Sequence, residues 1–275
     1  MARASAAASR DVLDTVLDLR DRRVSYALAT VIEAKGSTSA RVGSKAVIAE
    51  NGHVLAGWVG GGCAESTVCH SALACLGSGE TTIVDIDLTS EVLGAGMPCG
   101  GSMRVYVEAV RPRPRLWLLG HGKVAEVLCM TGAIAGFDVF VDDPMADREH
   151  YPAAIRILAG DQDYRELNPT ARDYVVVATQ HKGNHQSIAR CLRSPVSYIA
   201  LIASRKRSRL VLDYLRTEGF GDSELARVRA PAGLDLGAET PEEIALSVLS
   251  EIVMLRRGAD GVPRSRKASE TSNHA

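Results

Sequence analysis

Aromatic residues are scarce, at 4% of 275 residues, so the hydrophobic core of this chain has to be assembled from aliphatic side chains. Charge of either sign is not in excess: the formal net charge is −1 and the isoelectric point about 6.7. Nothing in that balance draws the chain to nucleic acid or to an anionic membrane. No apolar run is long enough to span a bilayer. Residues 1–9 are rich in Ala and Ser but carry no apolar h-region, so no signal peptide is expected and the cytoplasm is the expected location. The six cysteines, Cys63, Cys69, Cys75, Cys99, Cys129 and Cys191, contain no C-x-x-C pair and no zinc-finger spacing with histidine. Free thiols are expected in a reducing compartment. On one helix, Cys63, Cys69 and Cys75 are separated by steps of roughly 600°, so they point to different sides and do not form one metal cluster. Cys69, Cys75, Cys129 and Cys191 read as small core fillers.

In bulk the chain is ordinary: 46% hydrophobic and 24% charged residues suit a soluble globular protein of one large or two ordinary domains. The informative stretch is Val59-Gly60-Gly61-Gly62-Cys63-Ala64-Glu65. Three successive glycines are costly in chain entropy and make sense where bare backbone passes close to a partner. A helical pattern follows at once, so the glycines end a strand and open a helix whose first N–H groups form an anion site. Cys63 stands at that helix start, where the dipole favours thiolate. A second constellation, Met97-Pro98-Cys99-Gly100-Gly101, lies downstream. Together they point to a thiol site beside a phosphate-sized pocket. The alternative is two tight turns with buried cysteines.

Residues 10–20 place Val12, Leu13, Val16, Leu17 and Leu19 at helical spacing. Strands are expected over 24–33, 44–49, 53–59, 81–87 and 102–110, the second and third forming a hairpin turned by Asn51-Gly52. In the last of them Met103, Val105 and Val107 share a face. This outlines a mixed α/β domain over 10–110. Arg111-Pro112-Arg113-Pro114-Arg115 then reads as an extended linker, with a basic docking peptide as the alternative.

A different pattern begins at Leu116. A short apolar strand runs into Gly120-His121-Gly122-Lys123-Val124-Ala125 and a helix to about Ile134, the dinucleotide-binding fingerprint with Ala in its third place. A second strand, 136–141, ends at Asp142, where an acid would hold a ribose 2′-hydroxyl. That acid disfavours a 2′-phosphate, so NAD or FAD fits better than NADP. Strands at 155–159, 174–179 and 198–202 and helices at 187–192, 211–218 and 241–256 complete a Rossmann-like, doubly wound domain over 116–257. Thr179-Gln180-His181 follows the carboxyl end of a buried strand, so His181 is a ligand or acid–base candidate, or else a surface loop histidine. Arg205-Lys206-Arg207 either meets phosphate or starts a solvated helix. Thr240-Pro241-Glu242-Glu243 has the form of a capping box with Pro at N1. Residues 258–275 read as a disordered tail.

These motifs, in this order, resemble the XdhC/CoxI family, accessory proteins of xanthine dehydrogenase and related molybdenum hydroxylases. The resemblance covers most of the chain. It rests on Gly36-Ser37-Thr38, Gly61-Gly62-Cys63-Ala64-Glu65, Cys99-Gly100-Gly101, the 120–125 loop, Val141-Asp142-Asp143-Pro144, the 198–206 stretch, Pro231-Ala232-Gly233-Leu234-Asp235-Leu236-Gly237 and Thr240-Pro241-Glu242-Glu243-Ile244-Ala245. It implies a chaperone that holds molybdopterin, the molybdenum cofactor, presents it for sulfuration and passes it to an apo-molybdenum hydroxylase. A sulfur donor such as a cysteine desulfurase and a homodimeric state are implied too. By the same resemblance Cys63 and Cys99 are the reactive thiols, with Cys63 set against the metal; soft thiolate suits a sulfur-rich centre. Gly61, Gly62, Glu65, Gly100 and Gly101 would hold the cofactor in the first domain. Gly120, His121, Gly122, Lys123, Val124, Asp142, Asp143, Thr179 and His181 would do so in the second, for the cytosine dinucleotide form of the cofactor or for separate FAD or NAD.

The chain departs from the family pattern in three places. Residues 38–43 lack the usual proline, Ala200 and Ala203 stand where glycine is usual, and His181 is displaced by one position. These changes are those of a divergent branch, such as the CoxF-like proteins that mature copper–molybdenum carbon monoxide dehydrogenase. The rival expectations are a flavin- or NAD-dependent oxidoreductase acting in hydroxylase assembly, and a scaffold that binds the hydroxylase but no cofactor.

Overall fold

The computed structural model describes residues 11–88, 100–161, 163–179 and 184–266. The chain divides into two compact units, Met1–Pro112 and Arg113–Ala275, the division falling inside the Arg/Pro run.

The first unit runs α1 (Val12–Asp21), β1 (Tyr26–Lys35), β2 (Lys45–Ala49), β3 (Val54–Gly57), α2 (Cys63–Ser78), β4 (Thr82–Asp87) and β5 (Ser102–Val110). Its strands form an antiparallel sheet in the order β3-β2-β1-β5-β4. Alternation puts Met103, Val105 and Val107 on one buried face with Ala27, Ala29 and Val31, and α2 covers that face with Ala64, Val68, Ala72 and Leu76. α1 lies on the other face, where Leu19 packs with Tyr26, Val47 and Ala56. Only Val12, Thr15, Val16 and Leu19 of α1 turn inward; Leu13 and Leu17 are 69% and 55% exposed. The apolar stripe is thus narrower than expected, because successive residues of a helix step about 100° around its axis. The hairpin also differs from expectation. Its loop has three residues, Glu50-Asn51-Gly52, closed by Ala49 N–H on the His53 carbonyl at 2.9 Å, with Gly52 at φ +82°. Gly52 supplies the left-handed residue of a three-residue hairpin, and Asn51 is not half of a two-residue turn.

The second unit runs β6 (Arg115–Leu119), α3 (Lys123–Ile134), β7 (Asp138–Asp142), β8 (Arg156–Leu158), β9 (Tyr174–Val177), α4 (Asn184–Leu192), β10 (Tyr198–Leu201), α5 (Arg205–Thr217), α6 (Asp222–Leu225), β11 (Val228–Arg229) and α7 (Pro241–Arg256). All strand pairs are parallel, in the order β11-β10-β9-β6-β7-β8. The chain winds outward from β6 to β8, returns to β9, then winds outward on the other side. This is the doubly wound Rossmann order, with its switch point between β6 and β9. Both faces of the sheet are covered, which is why its strands read as unbroken apolar runs. Leu116, Leu118, Val176 and Ala200 meet α3 and α7. Trp117, Leu119, Val175, Val177 and Leu201 meet α4 and α5.

The Arg/Pro run is held at both ends. The Arg111 guanidinium donates to the Leu76 carbonyl in the last turn of α2, a helix end that favours a cation. Pro114 accepts from Asp138 N–H at 3.0 Å. Arg115 is already in β6, its N–H on Asp173 at 2.9 Å.

The α7 capping box is formed in full: Glu243 N–H donates to Thr240 Oγ1 at 3.2 Å and Thr240 N–H to Glu243 Oε2 at 3.0 Å, with Pro241 at N1. Thr240→Ala is expected to lower stability by about 1 kcal/mol, seen as a reduced denaturation midpoint with an unchanged m-value.

Candidate functional site

In the first unit, three motif-bearing loops converge at one end of the sheet. A Cβ on Gly101 would lie 2.5 Å from the Lys35 carbonyl oxygen and 2.6 Å from that of Ser37. One on Gly36 would lie 2.9 Å from the Gly100 oxygen. The Gly36-Ser37-Thr38 loop and the Gly100-Gly101 segment therefore press backbone to backbone, and neither tolerates a side chain at the crossing. Gly60 brings in the third loop, its Cβ direction meeting Ala64 and Met103 at 3.1 Å and Ser39 Oγ at 3.5 Å.

Among the described residues, a Cβ on Gly61, Gly62 or Gly100 would meet nothing within 4 Å. Gly62 is the N-cap of α2 at φ +58°, ψ −122°, and no side chain caps the helix there. Cys63, part-buried, is the first helical residue, and Glu65, also part-buried, lies in the same turn. Exposed bare backbone, a helix N-terminus and a part-buried sulfur thus lie together at Gly61–Cys63. Cys99 lies outside the described residues. Burial raises the Cys69 and Cys75 thiols, and pushes Cys129 to about 11 and Cys191 to about 12. They stay protonated and pack. Among the described residues, no three His, Cys, Asp or Glu side chains gather as a metal site.

In the second unit, Gly120 and Gly122 link β6 to α3. A Cβ on Gly120 would sit 2.7 Å from the Ala178 carbonyl carbon and the Thr179 nitrogen, while Gly122 lines a cavity. Ala125, in the fingerprint's third place, is fully buried. A cavity of about 450 Å³ opens here, at the carboxyl ends of β6, β9 and β10. On one side it is bounded by His121, Gly122, Lys123 and Val124, and on the other by Ile202, Ala203, Ser204 and Arg207, with Ala178 and Thr179 between. The first turns of α3 and α5 both open onto it, an anion-favouring arrangement. Ser204 caps α5 by accepting from Arg207 N–H at 3.3 Å. Ala203 and Ile202 are therefore wall residues. His181 lies outside the described residues.

His121 is oriented by Asp143: Nδ1 lies 3.1 Å from Asp143 Oδ1, which also accepts from Met145 N–H at 2.8 Å. Nε2 is the ring nitrogen left for a ligand. Tyr151, which no sequence pattern singled out, accepts from Gly122 N–H at 3.2 Å and is itself buried. Burial pushes its phenol up to about 12, so it remains a neutral hydrogen-bonding group under the phosphate loop.

Asp142 ends β7 beside this loop; Gly120 N–H donates to its carbonyl at 3.2 Å. Its side chain does not line the cavity. It is 1% exposed, and neither oxygen has a hydrogen-bond partner among the described residues. Burial first, then the nearby Asp161, Asp143 and Glu166, push its pKa up to about 7. An acid at this place was legible in the sequence; that it is sealed and unpaired was not.

A doubly wound domain of dinucleotide-binding form and an antiparallel domain with a glycine–cysteine loop define the class. Residues 116–252 match the XdhC Rossmann domain, and residues 19–87 match the XdhC and CoxI family. The chain belongs to the XdhC and CoxI family. It is 30% identical to protein YqeB of Escherichia coli over 93% of this chain and 48% of that one. It is 32% identical to a probable xanthine dehydrogenase component of Bacillus subtilis over 56% of this chain and 46% of that one. With the molybdenum cofactor insertion chaperone PaoD of E. coli it shares 24% identity over 83% of each. The chain spans about half the length of the first two of these curated relatives.

Two outcomes follow from this geometry. Gly101→Ala is expected to destabilise the protein by about 1–3 kcal/mol through overpacking, whereas Gly61→Ala, with open space at its Cβ, leaves the melting temperature within error of wild type. For Asp142 the folded pKa is raised, so its contribution to stability is fully present below about pH 4 and is lost as pH rises through about 7. Asp142→Asn removes that dependence. Its stability relative to wild type is expected to rise between pH 5 and pH 8 by on the order of 2 kcal/mol, measured by denaturant titration at each pH.

Proposed function

We propose that this protein is a maturation factor for a molybdenum hydroxylase, holding the molybdenum cofactor and assisting its sulfuration or its insertion into the apo-enzyme. The observation that carries the reading is the exposed bare backbone of Gly61 and Gly62 at the start of α2, next to Cys63. The similarity to a cofactor insertion chaperone over 83% of each chain supports it.

In this reading the cofactor is cargo. Soft thiolate ligation suits a molybdenum–sulfur centre, so Cys63 is placed next to the metal, and by the family resemblance Cys99 is the second candidate thiol. The N–H groups at the start of α2 take the anionic phosphate end. Glu65, in the same turn, is placed to accept from a pterin amine. The client is a hydroxylase of the xanthine dehydrogenase or carbon monoxide dehydrogenase type, and the sulfur comes from a donor such as a cysteine desulfurase. The working form is a cytoplasmic homodimer.

The second unit's crevice takes the pyrophosphate of a dinucleotide over Gly120–Gly122, with His121 Nε2, Lys123 and Arg207 as its cationic or donor partners. The ligand is FAD, NAD or the cytosine dinucleotide form of the cofactor. The carboxylates Asp142, Asp143, Asp161 and Glu166 around the β7 end disfavour a 2′-phosphate. This crevice also supports a second reading, an oxidoreductase acting in hydroxylase assembly with a bound flavin or nicotinamide.

Purification from a host making abundant cofactor separates the two. The chaperone reading expects a fluorescent pterin after acid oxidation, in wild type and not in Cys63→Ala, together with loss of hydroxylase activation by Cys63→Ala. A flavin spectrum without pterin, and full activation by Cys63→Ala, would support the oxidoreductase instead.

A further inference from the structure

Two helix starts wall the crevice of the second unit, and they come to it from opposite faces of the sheet. α3 packs on one face through Ala125 and Leu128, and α5 on the other through Leu215. Between them the lining is mostly apolar, Ala178, Ile202 and Ala203 with Thr179. A helix start leaves its first N–H groups without acceptors inside the helix. In α3, Gly122 N–H donates to the Tyr151 hydroxyl, and those of Lys123 and Val124 have no acceptor among the described residues. In α5, Arg207 N–H donates to Ser204 Oγ, and those of Arg205 and Lys206 have no acceptor among the described residues. The Ser204 hydroxyl keeps its own proton to donate.

The two ends differ in charge. Lys123 pairs with Glu126 at 3.4 Å, which offsets it. α5 opens with Arg205, Lys206 and Arg207 and has no acid in its first turn. Cations at a helix N-terminus add to the positive end of the dipole, so this end favours an anion more strongly than the other. The width of the crevice sets what kind of anion. α3 follows β6 and α5 follows β10, with β9 between them in the sheet. Two strand spacings are about 10 Å. A hydrogen bond of about 2.9 Å at each end leaves about 4 Å between the acceptor atoms of a ligand that meets both helices. That is wider than the edge of one phosphate tetrahedron and within the reach of a diphosphate.

Taking the crevice as a diphosphate site, as above, we infer that the diphosphate is divided across it, one phosphate at the start of α3 and the other at the start of α5 with Arg207. The glycine loop then holds only half of the charge. The crevice selects a diphosphate over a monophosphate, because a single phosphate reaches one helix and leaves the other without its anion. Arg207, on the far wall, sets that selectivity.

Calorimetric titration of the full chain with ADP and AMP, and with CDP and CMP, tests this in the absence of divalent metal. The two pairs carry the bases of the ligands proposed above. In wild type the diphosphate of the pair that binds is expected to be held at least about tenfold more tightly than its monophosphate. Arg207→Gln is expected to weaken the diphosphate about tenfold and the monophosphate less than about twofold, a coupling between the side chain and the second phosphate. Arg207→Lys, which keeps the charge and loses the planar fork, is expected to fall between. Melting temperatures equal to wild type check that both variants are folded. Equal weakening of diphosphate and monophosphate by Arg207→Gln would overturn the divided diphosphate and leave the dinucleotide reading standing. So would a diphosphate preference that Arg207→Gln leaves intact, or no preference in wild type. Binding of none of the four nucleotides to wild type would overturn the dinucleotide reading itself, and this inference with it.

Discussion

Close approach of bare backbone is the constraint on which both units depend. At Gly120 the β6–α3 turn runs against the end of β9, and a single added carbon would sit 2.7 Å from main-chain atoms of Ala178 and Thr179. That contact lets the start of α3 stand directly over the switch point of the sheet, where a phosphate can meet helix N–H groups. At Gly101 the same device locks the 100–101 segment against Lys35 and Ser37. Backbone atoms cannot move aside as the end of a flexible side chain can. Each crossing therefore fixes the loops beside it, and Gly61 and Gly62, which face no neighbour among the described residues, lie close to a fixed edge.

Such rigidity explains how a core poor in aromatics can still hold a site. The second unit's sheet is packed on both faces by Leu, Val, Ile and Ala, and its strands are buried almost completely. The stable sheet supports groups that destabilise it locally. Asp142 is the clearest case, a carboxyl with no hydrogen-bond partner among the described residues and pushed up to about 7 by burial. Tyr164, in a left-handed backbone, is another. Unfavourable local features beside a preformed crevice are what a binding site contributes in advance of its ligand.

Much of the fold was legible along the chain. Period-two alternation in β5, unbroken apolar strands in the second unit, the Thr240 capping box and the strand–glycine–helix order at 116–134 each follow from local rules. Less visible were features set by partners distant in sequence. Leu13 and Leu17 look like core residues until α1 is laid on a sheet that accommodates only part of its apolar stripe. The Arg/Pro run looks like a spacer until Arg111 is seen on the Leu76 carbonyl and Arg115 in β6. Tyr151 carries no motif, yet it hydrogen-bonds the phosphate-loop amide.

By itself the sequence determined the family, the doubly wound second domain, the glycine loops and which cysteines stand at a helix start. Those are short-range facts: a glycine's missing Cβ, a periodicity, a residue type at a fixed offset from a strand. Tertiary structure alone decided which glycines meet neighbouring backbone, which thiols are sealed, and that the Asp142 carboxyl finds no partner among the described residues. Each of these depends on atoms brought together from far along the chain, and burial and electrostatics act through that space without regard to sequence separation.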